Sequence, residues 1–252
     1  GIGSIAKCTQ FLVPFMGILY MLGAFLVIGK NIGQVPAALI QMLIMAFSPK
    51  AVGGGLAGGM LVSAKEALRF GVSRGVFSNE AGLGASGISA AAADTEDYIK
   101  QGYISMTSVF LDTIVICSVT GLAYMVSGVF GCVDEKGAYV TGTALAIAAF
   151  RTVLGDYGAM FISVSIALFA FATIASWAYQ GEKAFEYLFG GDKARMYYRF
   201  LYALVTFLGA VYSLEVVWNF ADICNALMAI PNLICILVLS SEACREIKER
   251  PH

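Results

Sequence analysis

Long apolar runs alternate with short polar clusters along this chain, and the runs predict its elements. Residues 11–28 form a first stretch long enough to cross a hydrocarbon core of about 30 Å as a helix, with Lys7 before it and Lys30 after it. Residues 35–47 predict a second helix, with Pro36 in the first turn, where the missing N–H costs nothing. At about a dozen residues it is too short to span alone. It runs into Ser48-Pro49-Lys50-Ala51-Val52-Gly53-Gly54-Gly55, a stretch that disfavours helix, and helical character resumes over 56–70. The economical expectation is one span broken in its middle. Further spans are predicted at 103–126, 158–179, 198–212 and 214–239; the last contains Pro231 and reads either as one kinked helix or as two elements. Residues 85–93 are a small-residue stretch suited to close helix packing. Residues 144–153 predict a short surface or re-entrant helix, and 190–195 a loop.

About six spans result, and the basic residues test their orientation. If the first span runs from inside to outside, only Lys30, Lys50, Lys136 and Arg151 of the sixteen Lys and Arg fall outside or in the break. The other twelve then share one side, which the positive-inside rule makes cytoplasmic. An odd number of crossings would spoil this division. The expectation is an all-α polytopic membrane protein: a single transmembrane domain over 1–252, an extracellular loop with a short helix over 131–157, and a cytoplasmic tail over 242–252.

Composition agrees. Hydrophobic residues make up 59% of the chain and charged residues 13%, against about 25% charged in a soluble domain; mean hydropathy is +0.78. A net charge of −1 gives no electrostatic case for nucleic acid. The six cysteines show no C-x-x-C pair or zinc spacing, and most sit in apolar runs as small hydrophobes. The only histidine is His252, which removes Ser-His and Cys-His catalysis and His-based metal sites. Neither an enzyme nor a cofactor is expected. The chain starts at Gly1 with no signal pattern before its first apolar run, and reads as part of a longer protein with a preceding N-terminal portion.

Three segments could carry chemistry. The 48–55 break would free backbone carbonyls and amides, which are tolerated at membrane depth only where they line a cavity or are buried in protein. Discontinuous helices of this kind hold small zwitterions and cations in secondary transporters, although Lys50 also fits an ordinary loop. The second segment is Arg74-Gly-Val-Phe-Ser-Asn-Glu-Ala-Gly-Leu-Gly84, polar and glycine-punctuated in a chain built for lipid. Its position after the basic cluster Lys65, Arg69, Arg74 suggests a cytoplasmic loop closing a gate. There Glu80 could pair with Arg74 or Arg69 as a lock. The third is 169–182, where Thr173 and Trp177 share a helix face four residues apart with Ser176 nearby. A hydroxyl and an indole could hold the two sides of a small amino acid, or simply satisfy the helix backbone and the membrane interface. Asp112, Asn219, Asp222 and Asn225 are polar residues within apolar runs, functional or helix-pairing by default.

The 74–84 stretch closely resembles the RG-x-FSNEAG-x-G signature of the alanine or glycine:cation symporter family. The resemblance extends along the chain. Phe47-Ser-Pro-Lys-Ala-Val-Gly53-Gly54 is similar to that family's AF-x-x-x-A-x-GG, Gln101-Gly102 and Asp112-Thr113 to its QG and DT positions, and Phe169-Ala-Phe-Ala-Thr-Ile to FAFTTI. Trp177 and Tyr179-Gln-Gly-Glu182 match the W and YxGE elements; Val217-Trp-Asn-Phe-Ala-Asp222 and Met228-Ala-Ile-Pro-Asn232 match VW-x-x-AD and MAIPN.

The resemblance implies a sodium- or proton-coupled importer of alanine, glycine and similar small neutral amino acids, multi-pass in the cell membrane of a bacterium, with lipid as its surroundings. It implies the inverted-repeat fold of the leucine-transporter type. This chain would supply core helices five to ten, the second repeat, and activity would need the first repeat. Phe47, Gly53, Gly54, Thr173 and Trp177 would line the amino-acid site. Arg74, Phe77, Ser78, Asn79, Glu80, Gly82 and Gly84 would form the gating stretch. Thr173 and Ser176 would face sodium. Where that family shows two adjacent threonines, this chain has Ala172 and Thr173, one oxygen fewer for a hard cation, with Ser176 in place of a glycine as partial compensation. That departure keeps proton coupling open. Two other classes stand beside the symporter: a channel subunit using the glycine-rich break as filter, and an intramembrane enzyme using Asp112 and Asp222, which lacks a nucleophile–base constellation.

Overall fold

The computed structural model describes residues 2–47, 64–80, 82–135 and 137–249. Among these residues the chain is almost wholly helical, with an isolated antiparallel bridge, Val133 to Tyr139, in place of any strand.

Helix α1, Ile2–Lys30, is apolar on every side. Met16, Tyr20, Ala24 and Val27 recur at helical spacing and are buried, while Phe11, Ile18, Leu22 and Phe25 are exposed. Apolar residues all round a helix suit lipid on one side and protein on the other. The Asn31 side chain donates through Nδ2 to the Val27 carbonyl at 2.9 Å, and a 3₁₀ turn, Ile32–Gln34, leads into α2, Val35–Phe47. Helix α3 covers Ala64–Asn79, and α4, Ala85–Ala90, starts from left-handed Gly84. Asp97 caps α5, Tyr98–Phe110, by accepting from the Lys100 amide at 2.8 Å. A π-helical segment, Leu111–Ile116, then joins α5 to α6, Cys117–Val126.

Helix α7, Gly142–Phe189, is two helices joined at Gly155, whose φ of 60° and ψ of −144° are open to glycine alone. Its two parts, 142–154 and 156–189, are the short helix and the span expected from sequence. The expectation of a loop over 190–195 is overturned: only Gly190 lies outside helix, and α8 occupies Gly191–Val211. Gly190 has φ 69° and Gly191 φ 79°, so one glycine pair turns the chain where a longer loop was expected. The last run is one helix, α9, Leu214–Glu249, which carries Pro231 inside it and extends through most of the expected tail.

Among the described residues, four helices are long and apolar enough to cross a membrane: Phe11–Lys30, Tyr98–Val126, Gly142–Phe189 and Leu214–Glu249. With large apolar side chains such as Phe11, Phe200 and Leu237 outside, this is an all-α membrane protein.

The chain divides into two compact units, residues 1–72 with 113–175 and residues 73–112 with 176–252. In the first, Tyr20, Ala24, Val27, Ala38, Ala123, Val126, Ala146, Ala149, Phe150 and Ile162 form the core. Its alanines let helices approach closely, as in membrane packing generally. At Gly158 a Cβ would meet the Phe150 carbonyl oxygen at 2.6 Å, so only glycine fits. Tyr20 shares a hydrogen bond with Thr120 at 2.8 Å and meets Phe169 edge-on. The second unit contains the candidate site.

Candidate functional site

Helix α3 ends where Glu80 turns left-handed, with φ 57°. The Glu80 amide donates back to the Val76 carbonyl at 3.0 Å, closing the last turn as an αL cap. Glu80 is the only non-glycine residue with positive φ among the described residues. Gly82 and Gly84 follow at φ 84° and 83°, and a Cβ on Gly84 would stand 3.0 Å from Asn232 Oδ1. The two glycines of the signature therefore rest on Asn232 and Leu233 of α9, the end of the Met228–Asn232 run.

One helical turn earlier, α3 presents Ser73, Arg74 and Phe77 to α9. The Arg74 guanidinium donates to Asp222 at 2.6 Å, and the Ser73 hydroxyl donates to the other carboxylate oxygen at 2.8 Å. The same guanidinium lies 3.9 Å over the Trp218 ring, and Phe77 packs edge-on against that ring with centroids 5.0 Å apart. Trp218 and Asp222 are four apart on α9, so one helix face receives both the face and the edge of the guanidinium. Arg74 and Asp222 are each about one-third exposed, 33% and 34%, and Arg74 Nη1 is buried without a hydrogen-bond partner among the described residues.

Glu80 itself accepts from the Trp177 indole N–H at 2.9 Å. The expected pairing of Glu80 with Arg74 is therefore corrected: the arginine belongs to Asp222 and the glutamate to Trp177. The Arg69 side chain lies outside the described residues. Burial pushes the Glu80 carboxyl above its usual range; the Trp177 hydrogen bond pulls it back, and the nearby Asp112 charge pushes it further up. The Ser78 hydroxyl donates to Asp112 at 2.9 Å. Three residues beyond Trp177, Gln180 is buried and donates to the Ser89 hydroxyl at 2.9 Å. The 176–189 part of α7 thus meets the signature stretch through Trp177 and helix α4 through Gln180.

The C-terminal end of this segment is fixed separately. Glu182 takes a two-pronged contact from Arg199, at 2.6 and 2.9 Å. A Cβ on Gly181 would collide with the Tyr198 hydroxyl. This accounts for Gly181 and Glu182 as the residues that seat α8. An apolar groove of about 630 Å³ between α4 and α7, lined by Ile88, Ala92, Tyr179 and Tyr187 among others, contains none of the expected substrate residues.

Of the residues singled out from sequence, Arg74, Phe77, Ser78, Glu80, Gly82, Gly84 and Trp177 are engaged within the second unit. Asn79 is half-buried at the end of α3. Thr173 and Ser176 are exposed, and Ala172 is buried. Gly53, Gly54 and the rest of the 48–55 break lie outside the described residues, as does the Phe47 side chain. Asn232 and Ser89 were not anticipated. Asn232 stood inside a quoted motif, and no local spacing pointed to Ser89.

A profile of the sodium:alanine symporter family matches residues 1–250. The chain is 42% identical over 251 residues to the sodium/alanine symporter AgcS of Methanococcus maripaludis, covering 98% of this chain and 52% of that protein. It is 33% identical to the probable sodium/glutamine symporter GlnT of Bacillus subtilis, covering 99% and 50%. It is 31% identical to the sodium/proton-dependent alanine carrier protein of Bacillus sp. strain PS3, covering 99% and 57%. The chain spans about half the length of the curated relatives it matches. With nearly every residue inside the family profile and the signature stretch docked on two further family motifs, the chain belongs to the sodium:alanine symporter family, whose members are transporters rather than enzymes.

Proposed function

We propose that this protein is part of a cation-coupled symporter importing a small neutral amino acid, alanine or glycine, by alternating access. The observation that carries this reading is the joining of motifs in the second unit, where Arg74, Phe77, Glu80 and Gly84 meet Asp222, Trp218, Trp177 and Asn232. Such a network of charge-assisted contacts around a helix break is a two-state element that a transport cycle can make and release.

On this reading the fold is the leucine-transporter type, with six crossings in the cell membrane and a cytoplasmic C-terminus. Thr173, Trp177 and the 47–55 break line the substrate site, and the Thr173 and Ser176 hydroxyls face the coupling ion. Sodium is the ion favoured by the relatives' names. Buried Ala172 withdraws one hydroxyl from this region, and two relatives are named sodium/proton-dependent, which keeps proton drive as the second arm of the test.

Labelled alanine uptake into proteoliposomes holding the intact protein, at fixed pH with and without an inward sodium gradient, is the experiment. Accumulation that needs the sodium gradient is the expected result. Accumulation that follows only a proton gradient moves the coupling ion. Absence of alanine and glycine uptake under either gradient overturns the substrate.

A further inference from the structure

Trp177 was expected to line the amino-acid site, and its indole N–H is already taken by Glu80. A half-buried indole needs a partner for that N–H, and a carboxylate supplies a stronger one than a neutral acceptor. What distinguishes this carboxylate is how firmly its backbone is held. Glu80 occupies a left-handed conformation unfavourable for any side chain beyond Cα. The Val76 carbonyl holds its amide, and its own carbonyl accepts from the Leu83 amide at 3.2 Å. Leu83 is buried, and Gly84 is seated on Asn232. Strain of this kind persists only where the surroundings over-determine it, and it concentrates where a side chain must be aimed.

We propose that Glu80 is a positioning residue for substrate binding: its carboxylate fixes the rotamer of the Trp177 indole, and the signature loop thereby sets the affinity of the substrate wall. The inference rests on the proposed substrate role of Trp177. Glu80 does not touch the amino acid. It holds the ring against which the amino acid packs, so displacement of the α3 end swings the indole and weakens the site. Coupling between loop and site then runs through a single hydrogen bond, Glu80 Oε1 to Trp177 Nε1, across 97 residues of sequence.

The test is a double-mutant cycle in the intact protein, reading apparent KM and maximal rate of alanine uptake. Glu80→Ala is expected to raise KM about tenfold, the worth of one hydrogen bond to a charged group, with a smaller change in maximal rate. Glu80→Gln, whose carbonyl still accepts from the indole, is expected to recover most of that affinity. In a Trp177→Phe background, which keeps a ring and removes the N–H, Glu80→Ala should add less than twofold. A tenfold effect of Glu80→Ala persisting in the Trp177→Phe background overturns the proposal. So does a loss of maximal rate and protein yield at unchanged KM, which marks a purely structural role.

A substrate-independent measurement separates this proposal from the transport reading. With the tryptophans ¹⁵N-labelled, the indole N–H resonance assigned by Trp177→Phe should move in Glu80→Ala and return towards its position in Glu80→Gln. Lack of alanine uptake with this resonance pattern intact overturns the substrate and keeps the Glu80–Trp177 lock. An unmoved resonance overturns the lock whatever the substrate.

Discussion

In the first unit, Ala24, Val27, Phe150 and Ile162 are held by contact alone, with Tyr20 and Thr120 sharing the hydrogen bond beside them. In the second, Ser73, Arg74 and Asp222 join α3 to α9, each paired with a charge or a hydroxyl, with indole and phenyl rings packed around them. The first arrangement gains from every methylene buried and has one good geometry. The second exchanges discrete partners, and removing one leaves another unsatisfied. A core of the first kind serves as a scaffold, and a cluster of the second kind can switch. Substitutions in the two regions should therefore fail in different ways.

The largest effect is expected in the scaffold. Phe150 is fully buried, so Phe150→Ala should cost about 3–5 kcal/mol of stability. In thermal denaturation of the purified protein the loss should be large, and the surviving fraction should keep its apparent KM. A shift in KM of similar size would merge the two regions into one functional body.

Asp222→Ala comes next. It strands an arginine that already has one unpartnered nitrogen, and partial exposure of the pair limits the cost to about 2 kcal/mol. Here transport rate should fall more than stability does, and Asp222→Asn, which can still accept from Arg74, should sit between. Equal losses in the two measurements would make the cluster another scaffold. Gly84→Ala should cost about 1–2 kcal/mol, because the new Cβ meets both a left-handed backbone and Asn232. Asn232→Ala in the same chain should relieve the packing part and leave the backbone part.

The smallest effect concerns pH. The folded protein holds the Glu80 proton more tightly than an ordinary glutamate does, because burial raises its pKa. Its contribution to stability is therefore full below the ordinary glutamate pKa and declines as pH rises through the raised one. Glu80→Gln should remove that decline, measured as the difference in unfolding midpoint between acidic and neutral buffer. A variant that keeps the full decline would assign it to another group.

The helices were legible in sequence because apolar runs and glycine or proline breaks act locally. The short helix expected at 144–153 and the span expected at 158–179 follow from such signals, and Gly155 falls in the gap between them. The π-helical segment over Leu111–Ile116 was not legible: an i→i+5 turn carries no distinctive residue, and its Asp112 pointed to a functional or helix-pairing group without marking the change of helix. The start of α8 was missed because Gly190-Gly191 was weighted over the helix-forming Lys193-Ala194-Arg195 that follows. In the site, the motif residues could be named but not their partners. Arg74 meets Asp222 across 148 residues and Trp177 meets Glu80 across 97, and nothing in local spacing assigns a glutamate to an indole over an arginine.

These 252 residues contain two tryptophans. The guanidinium of Arg74 lies over one, and the carboxylate of Glu80 binds the other. Both tryptophans therefore answer to the same short stretch of chain, one through a cation on its face and one through an anion at its edge. Ultraviolet emission, without any attached dye, should report a displacement of the signature stretch.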